Sequence, residues 1–158
     1  MPSADARTLS ATITIAAAPE ATWRVVCDVR RTPEWSPECR RVIPLGSIRR
    51  GAWLLGINRR ERVRWPALSR ITSFDRGREI AWKVVTNGSI WTYYIAADKG
   101  GTTLSETRTT PSGVSAFARW FTRVFLGGQH DHDDELQAGM TAGLIRIKQL
   151  VEATTTIA

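Results

Sequence analysis

Phe74-Asp75-Arg76-Gly77-Arg78-Glu79, Thr86-Asn87-Gly88-Ser89 and Ala97-Asp98-Lys99-Gly100-Gly101-Thr102 are three turn sequences inside one β-rich stretch, residues 69–110. Loop length decides which residues face each other across a hairpin, so each turn sets a register. Asn87-Gly88 reads as a two-residue hairpin loop and pairs Thr86 with Ser89. The two four-residue loops pair Phe74 with Glu79 and Ala97 with Thr102. Counting outward predicts rows across four strands. One row is Ile71, Trp82, Tyr93 and Glu106; its neighbour is Ser69, Val84, Trp91 and Arg108; a third is Ser73, Ile80, Ile95 and Leu104. Successive side chains alternate between faces, so every member of these rows shares one face. The opposite face collects Arg70, Thr72, Ala81, Lys83, Thr92, Tyr94, Thr103, Ser105 and Thr107. Three turns read separately thus agree on one aromatic and aliphatic inner face, which implies an antiparallel sheet covered on one side. Continuing the first strand back places Trp65 and Ala67 inside and Arg60, Arg62 and Arg64 outside.

The flanking chain supplies the cover. Residues 8–16 are rich in β-formers and read as a first strand. Pro19 opens a helix to about Val29, with Trp23, Val26 and Cys27 on one face. Thr32-Pro33-Glu34-Trp35 reads as a second, short helix capped by Thr32. Strands follow near 39–45, 52–59, 62–74, 79–86, 89–97 and 102–110. Val114, Phe117, Ala118, Phe121 and Phe125 then recur at helical spacing. Gly127-Gly128 should break or kink that helix, leaving the last helix long or split, and a polar turn from Gln129 to Glu135 follows. Leu136, Met140, Leu144, Ile147 and Val151 mark a final helix. The expected order is β-α-α-β6-α, an α+β fold. Its curved antiparallel sheet of six to seven strands wraps a long C-terminal helix. Glycines 139 and 143 strip two side chains from that helix, either for close packing or to leave room for a ligand.

Composition narrows the class. A length of 158 residues suits one domain over 1–158, with residues 1–7 expected to be a flexible N-terminus. Apolar content of 42% argues against disorder, and the seven tryptophans outnumber two tyrosines and four phenylalanines. No apolar run approaches a membrane span, and the N-terminus lacks a signal-peptide pattern, so a cytoplasmic location is expected. Cys27 and Cys39 are then most simply free thiols. The net charge is +7, and residues 30–64 alone hold ten arginines against three acids. That stretch could attract phosphates or anionic membranes, or form a solvated arginine-rich surface. The 49/50 and 59/60 pairs flank one strand and should sit at opposite ends of the sheet. No stable nucleic-acid partner is therefore expected, although a basic nucleic-acid or protein interaction module is the third reading.

With these elements in order, the sequence resembles the START/Bet v 1-like superfamily (SRPBCC; polyketide cyclase/dehydrase and lipid transport), in its small actinobacterial type. The resemblance covers nearly the whole chain. It is carried by Ala18-Pro19-Glu20-Ala21-Thr22-Trp23 with Val26 and Asp28, and by Arg31-Thr32-Pro33-Glu34-Trp35-Ser36-Pro37-Glu38. Ile80-Ala81-Trp82, Trp91-Thr92-Tyr93 and Gly101-Thr102-Thr103-Leu104-Ser105-Glu106 add to it. It implies a helix-grip fold with a hydrophobic cavity, and activities from lipid and hormone binding to polyketide cyclisation. The family shares no universal catalytic motif, so no catalytic residue is carried over.

The residues themselves nominate a site. Glu106 and Arg108 are polar residues on an otherwise apolar face, and a buried carboxylate must be paired or hydrogen-bonded. Tyr93 opposite Glu106 can donate to it, and Arg108 can stack on Trp91. These three are the candidate catalytic or ligand-orienting groups, or else a structural pair at a solvated mouth. Trp35, Trp53, Trp65, Trp82 and Trp91 are expected to line the cavity, or to be ordinary core. Ile71, Val84, Phe117, Phe121, Met140 and Leu144 complete the expected ligand-binding set. His130-Asp131-His132-Asp133-Asp134 does not place both imidazoles on one helix face, so no metal is expected. No phosphate-binding glycine motif is present, and no cofactor is expected. The first reading is a binder of a small hydrophobic, lipid-like, aromatic or polyketide-like molecule, as a monomer or homodimer. The alternative is a cofactor-independent cyclase/dehydratase-type enzyme using the same polar groups.

Overall fold

A computed structural model describes residues 7–110 and 129–157. Among these described residues seven strands form one antiparallel sheet: β1 (Arg7–Ile15), β2 (Cys39–Leu45), β3 (Trp53–Arg60), β4 (Val63–Asp75), β5 (Glu79–Val84), β6 (Ile90–Asp98) and β7 (Gly101–Thr110). Their order across the sheet is β1-β7-β6-β5-β4-β3-β2. Helix α1 (Pro19–Val26) and a 3-10 helix (Val29–Glu34) connect β1 to β2, and helix α2 (Gln129–Ile157) lies against the sheet. This is the helix-grip arrangement, with a seventh strand settling the expected six to seven.

β1 shows why the sheet has two faces. Ile15 is buried and Ile13 packs on the core, while Thr8, Ser10, Thr12 and Thr14 are exposed. The face of α2 carrying Met140, Leu144, Ile147 and Val151 is buried. Side chains of α2 also satisfy the free edge of β1. Gln137 Nε2 donates to Ser10 O at 2.8 Å, and Lys148 Nζ donates to Thr14 O at 2.9 Å. Ala16 N donates to Glu152 Oε1 at 2.8 Å, which covers an edge that would otherwise offer unpaired backbone groups.

The register agrees with the turn reading on the faces of β5, β6 and β7 and departs from it at the end of β4 and in detail. β6 and β7 pair Ala97 with Thr102 and Tyr93 with Glu106, as counted. Between β5 and β6 the loop is four residues long. Val84 N bonds Ser89 O, Gly88 N bonds Val84 O, and Asn87 Oδ1 accepts from Ser89 N. Trp82 therefore sits opposite Trp91, and Ile80 opposite Tyr93. The slip is two residues, which preserves the faces. At the β4–β5 turn Asp75 pairs with Glu79 and Phe74 with Ile80, and a bulge between Ile71 and Ser73 restores the Ile71–Trp82 pair. The bulge turns Phe74 onto the core, edge-on to Trp23 with centroids 5.3 Å apart, and Ser73, expected in the inner row, instead pairs with Ala81 on the opposite face.

Other boundaries are corrected. α1 ends at Val26, and the short helix begins at Val29, capped by Asp28, whose carboxylate accepts from Arg30 N. Thr32, expected as that cap, instead donates to Val29 O at 2.7 Å. The described chain is already helical at Gln129, so the expected polar turn over 129–135 is part of α2. Arg60 lies on the inward parity with Asn58 and Gly56, because the two-residue turn Glu61-Arg62 reverses the chain there. The predicted helix through Val114 and Phe125 falls outside the described residues.

Candidate functional site

A cavity of about 220 Å³ lies between the sheet and α2. Its origin is in small residues. Gly56, Ala67 and Ser69 occupy inward positions of β3 and β4, where larger side chains would fill the space. Gly139 and Gly143 of α2 line it too, but they answer the packing question: a Cβ at Gly139 would come within 3.0 Å of Pro37, and one at Gly143 within 3.0 Å of Trp35 O. These glycines let α2 close on the Trp35–Pro37 turn.

Among the described residues four indoles wall the cavity: Trp35, Trp65, Trp82 and Trp91. Val84 and Met140 add apolar surface. Trp35 is delivered by the end of the 3-10 helix and is 2% exposed. Its indole Nε1–H donates to Tyr93 Oη at 3.1 Å, and Tyr93 O–H donates to Glu106 Oε1 at 3.0 Å. Trp82 leans on Tyr93 with ring centroids 5.8 Å apart. Tyr93 of β6, steadied by the Trp35 and Trp82 rings, thus fixes the Glu106 carboxyl group of β7. Burial pushes Glu106 up to about 7, against the Tyr93 hydrogen bond that favours the ionised form. Burial, then the Glu106 charge beside it, drives Tyr93 well above the usual phenol range.

Arg108 Nη2 donates to Ser89 Oγ at 3.0 Å, and its guanidinium lies 5.7 Å from the Trp91 ring centroid. It lines the cavity without bonding Glu106. Glu38, Asn58, Asn87 and Glu135 are among the other polar residues that line the cavity. Burial raises Glu38, partly opposed by Arg60. Arg60 bridges to Glu135, joining the tip of β3 to the first turns of α2.

Of the residues nominated from sequence, Trp35, Trp65, Trp82, Val84, Trp91, Tyr93, Glu106, Arg108 and Met140 meet at the cavity. Trp53 does not. It pairs with Leu45 and Arg70 on the outward parity of β3, is 38% exposed, and carries the Arg70 guanidinium 5.4 Å from its ring centroid. Ile71 and Leu144 are buried core and do not line the cavity. Phe117, Phe121 and the side chains of 130–133 lie outside the described residues. Sequence reasoning missed the Trp35 donor to Tyr93, which depends on how the 3-10 turn folds back. It also missed Ser89 and Glu38; their only signal was position beside a hairpin and beside a strand start. Cys27 and Cys39 are free, and burial pushes the Cys39 thiol up to about 11, so it is a poor nucleophile. Among the described residues no metal-binding cluster occurs, and no helix is long and apolar enough to cross a membrane.

The family model for polyketide cyclase / dehydrase and lipid transport proteins matches residues 6–152. The chain belongs to that family. No curated protein matches it. Among solved structures, this polyketide cyclase/dehydrase and lipid transport family member is similar to the di-domain ARO/CYC StfQ from the steffimycin biosynthetic pathway. That match has 14% identity and a TM-score of 0.75, and covers 96% of this chain and 52% of that one. The chain thus spans about half of StfQ. It is similar to the Zhui aromatase/cyclase from Streptomyces sp. R1128, with 17% identity and a TM-score of 0.74, covering 93% and 94% of the two chains. It is also similar to the polyketide-cyclase-like protein Cgl2372 from Corynebacterium glutamicum, with 23% identity and a TM-score of 0.65, covering 96% and 95%. At these identities the likeness establishes the helix-grip fold.

Proposed function

We propose that this family member binds a small, mostly apolar molecule carrying one hydroxyl or carbonyl oxygen, seated among Trp35, Trp65, Trp82 and Trp91. The observation that carries this is a buried carboxyl group, Glu106, hydrogen-bonded to Tyr93 beside the indoles of Trp35, Trp65, Trp82 and Trp91, while Glu38, Asn58, Arg108 and Glu135 add further polar lining. Indole faces supply apolar area with few hydrogen-bonding demands, and one placed polar group fixes the orientation. Below its titration midpoint of about 7, Glu106 can donate to a ligand carbonyl; above it, it accepts from a ligand hydroxyl.

The test compares 2-naphthol with naphthalene by calorimetry. Both should bind, and the hydroxyl should add about tenfold in affinity, the scale of one net hydrogen bond. Glu106→Leu should abolish that preference while naphthalene binding survives. Equal affinity for the two compounds in the unmodified protein would overturn the reading.

A second reading is a cofactor-independent cyclase/dehydratase-type enzyme. It is favoured by one fact: a cavity carboxyl titrating at about 7 can give and take protons near neutral pH. Glu106 would move the proton, Tyr93 would hold it in register, and Arg108 would polarise a carbonyl. The names of StfQ and Zhui agree with that chemistry without assigning it here.

A further inference from the structure

Away from the cavity, the outward face of the sheet changes character halfway across. On β1, β7 and β6 it carries mostly threonine and serine. On β2, β3 and β4 as far as Arg70 it has eleven outward positions, seven apolar and four arginine. The apolar ones form adjacent pairs: Leu45 beside Trp53, Ile43 beside Leu55, Leu55 beside Leu68, Ile57 beside Pro66. Leu45 is 57% exposed and Leu68 39%. Arg41, Arg59 and Arg64 close one end of this stripe. At the other end Leu45, Arg49, Arg50, Trp53 and Arg70 line a concave niche of about 380 Å³. Among the described residues no carboxylate pairs with Arg49, Arg50 or Arg70.

We infer that this face docks on an anionic phospholipid surface, with Leu45, Trp53 and Leu68 in the interface and headgroup phosphates at the arginine niche. The eleven positions include no acid, amide or hydroxyl, so the face has no pattern of donors and acceptors with which to specify a protein or a base edge. It offers apolar bodies and guanidinium heads, the combination that partitions into the headgroup–acyl boundary of negatively charged bilayers. A second copy would set arginine rims against each other. The stripe faces away from the cavity, so this inference stands apart from the ligand reading.

Flotation with phosphatidylcholine vesicles, with and without roughly one-third phosphatidylserine, tests it. Binding is expected to the anionic vesicles only. Arg49→Gln with Arg50→Gln should weaken it about 30-fold, two surface cations' worth. Leu45→Ser with Trp53→Ser, which leaves charge intact on exposed positions, should weaken it at least about tenfold; unchanged far-ultraviolet dichroism and an unchanged urea midpoint confirm the fold. Displacement of the vesicles by millimolar inorganic phosphate would assign the niche to a free anion and overturn the inference. So would absence of binding at low salt, insensitivity to the Leu45/Trp53 pair, or a dimer that this pair dissociates. An acidic protein that binds the stripe in place of anionic vesicles would overturn it equally.

Discussion

Replacing Glu106 by glutamine is expected to stabilise the protein at about pH 8 by roughly 3 kcal/mol, and to change it little at about pH 4.5. The reason is the cost of an ionised carboxylate in the cavity. Glu106 titrates at about 7 in the folded protein, raised by burial from an ordinary glutamate value of 4.5. Between those values the folded state holds a proton that the unfolded state has released. Stability therefore falls as pH rises through that window, by about 1.4 kcal/mol per pH unit. Glutamine mimics the protonated acid in shape, its amide oxygen still accepts from Tyr93, and it carries no charge. Urea midpoints of both proteins across this range measure the difference. Parallel curves would show that the carboxyl is solvated and that the site is mis-assigned.

Tyr93→Phe should cost roughly 2–4 kcal/mol, the price of two unmet buried polar groups. The phenol sits between them: it accepts from Trp35 Nε1 and donates to Glu106. Its loss leaves the indole N–H without its acceptor and the carboxyl without its donor. Since the Tyr93 bond favours the ionised acid, its removal should also drive Glu106 above about 7. The destabilisation should then be larger at about pH 8 than at about pH 5, the opposite of the pattern for Glu106→Gln. Loss of the same stability at every pH would mean that Tyr93 contributes packing alone.

The faces of the sheet were legible because alternation has a period of two and survives errors of even size. The β5–β6 loop was read two residues too short, yet Trp82, Trp91 and Tyr93 kept their face. The β4–β5 turn was misread by one, and the bulge after Ile71 absorbed the error before it reached Trp82. Arg60 and Trp53 were misplaced because nothing local in Arg59-Arg60-Glu61-Arg62 announces a two-residue turn, and the parity of β3 depends on that turn. The Tyr93–Glu106 pair followed from the Ala97–Thr102 register, which holds although Asp98 and Gly101 also pair and the turn is only Lys99-Gly100. The Trp35 bond to Tyr93 spans 58 positions and depends on the tertiary path of the 3-10 turn, which no short-range pattern encodes.

The indole N–H resonances of the seven tryptophans offer the most direct test of the ligand site. On titration with 2-naphthol, the signals of Trp35, Trp65, Trp82 and Trp91 should shift together to a one-to-one end point. Those of Trp23, packed in the core on Phe74, and of Trp53, on the outward face, should stay in place. Shifts confined to Trp53, or none at the four cavity indoles, would contradict the account.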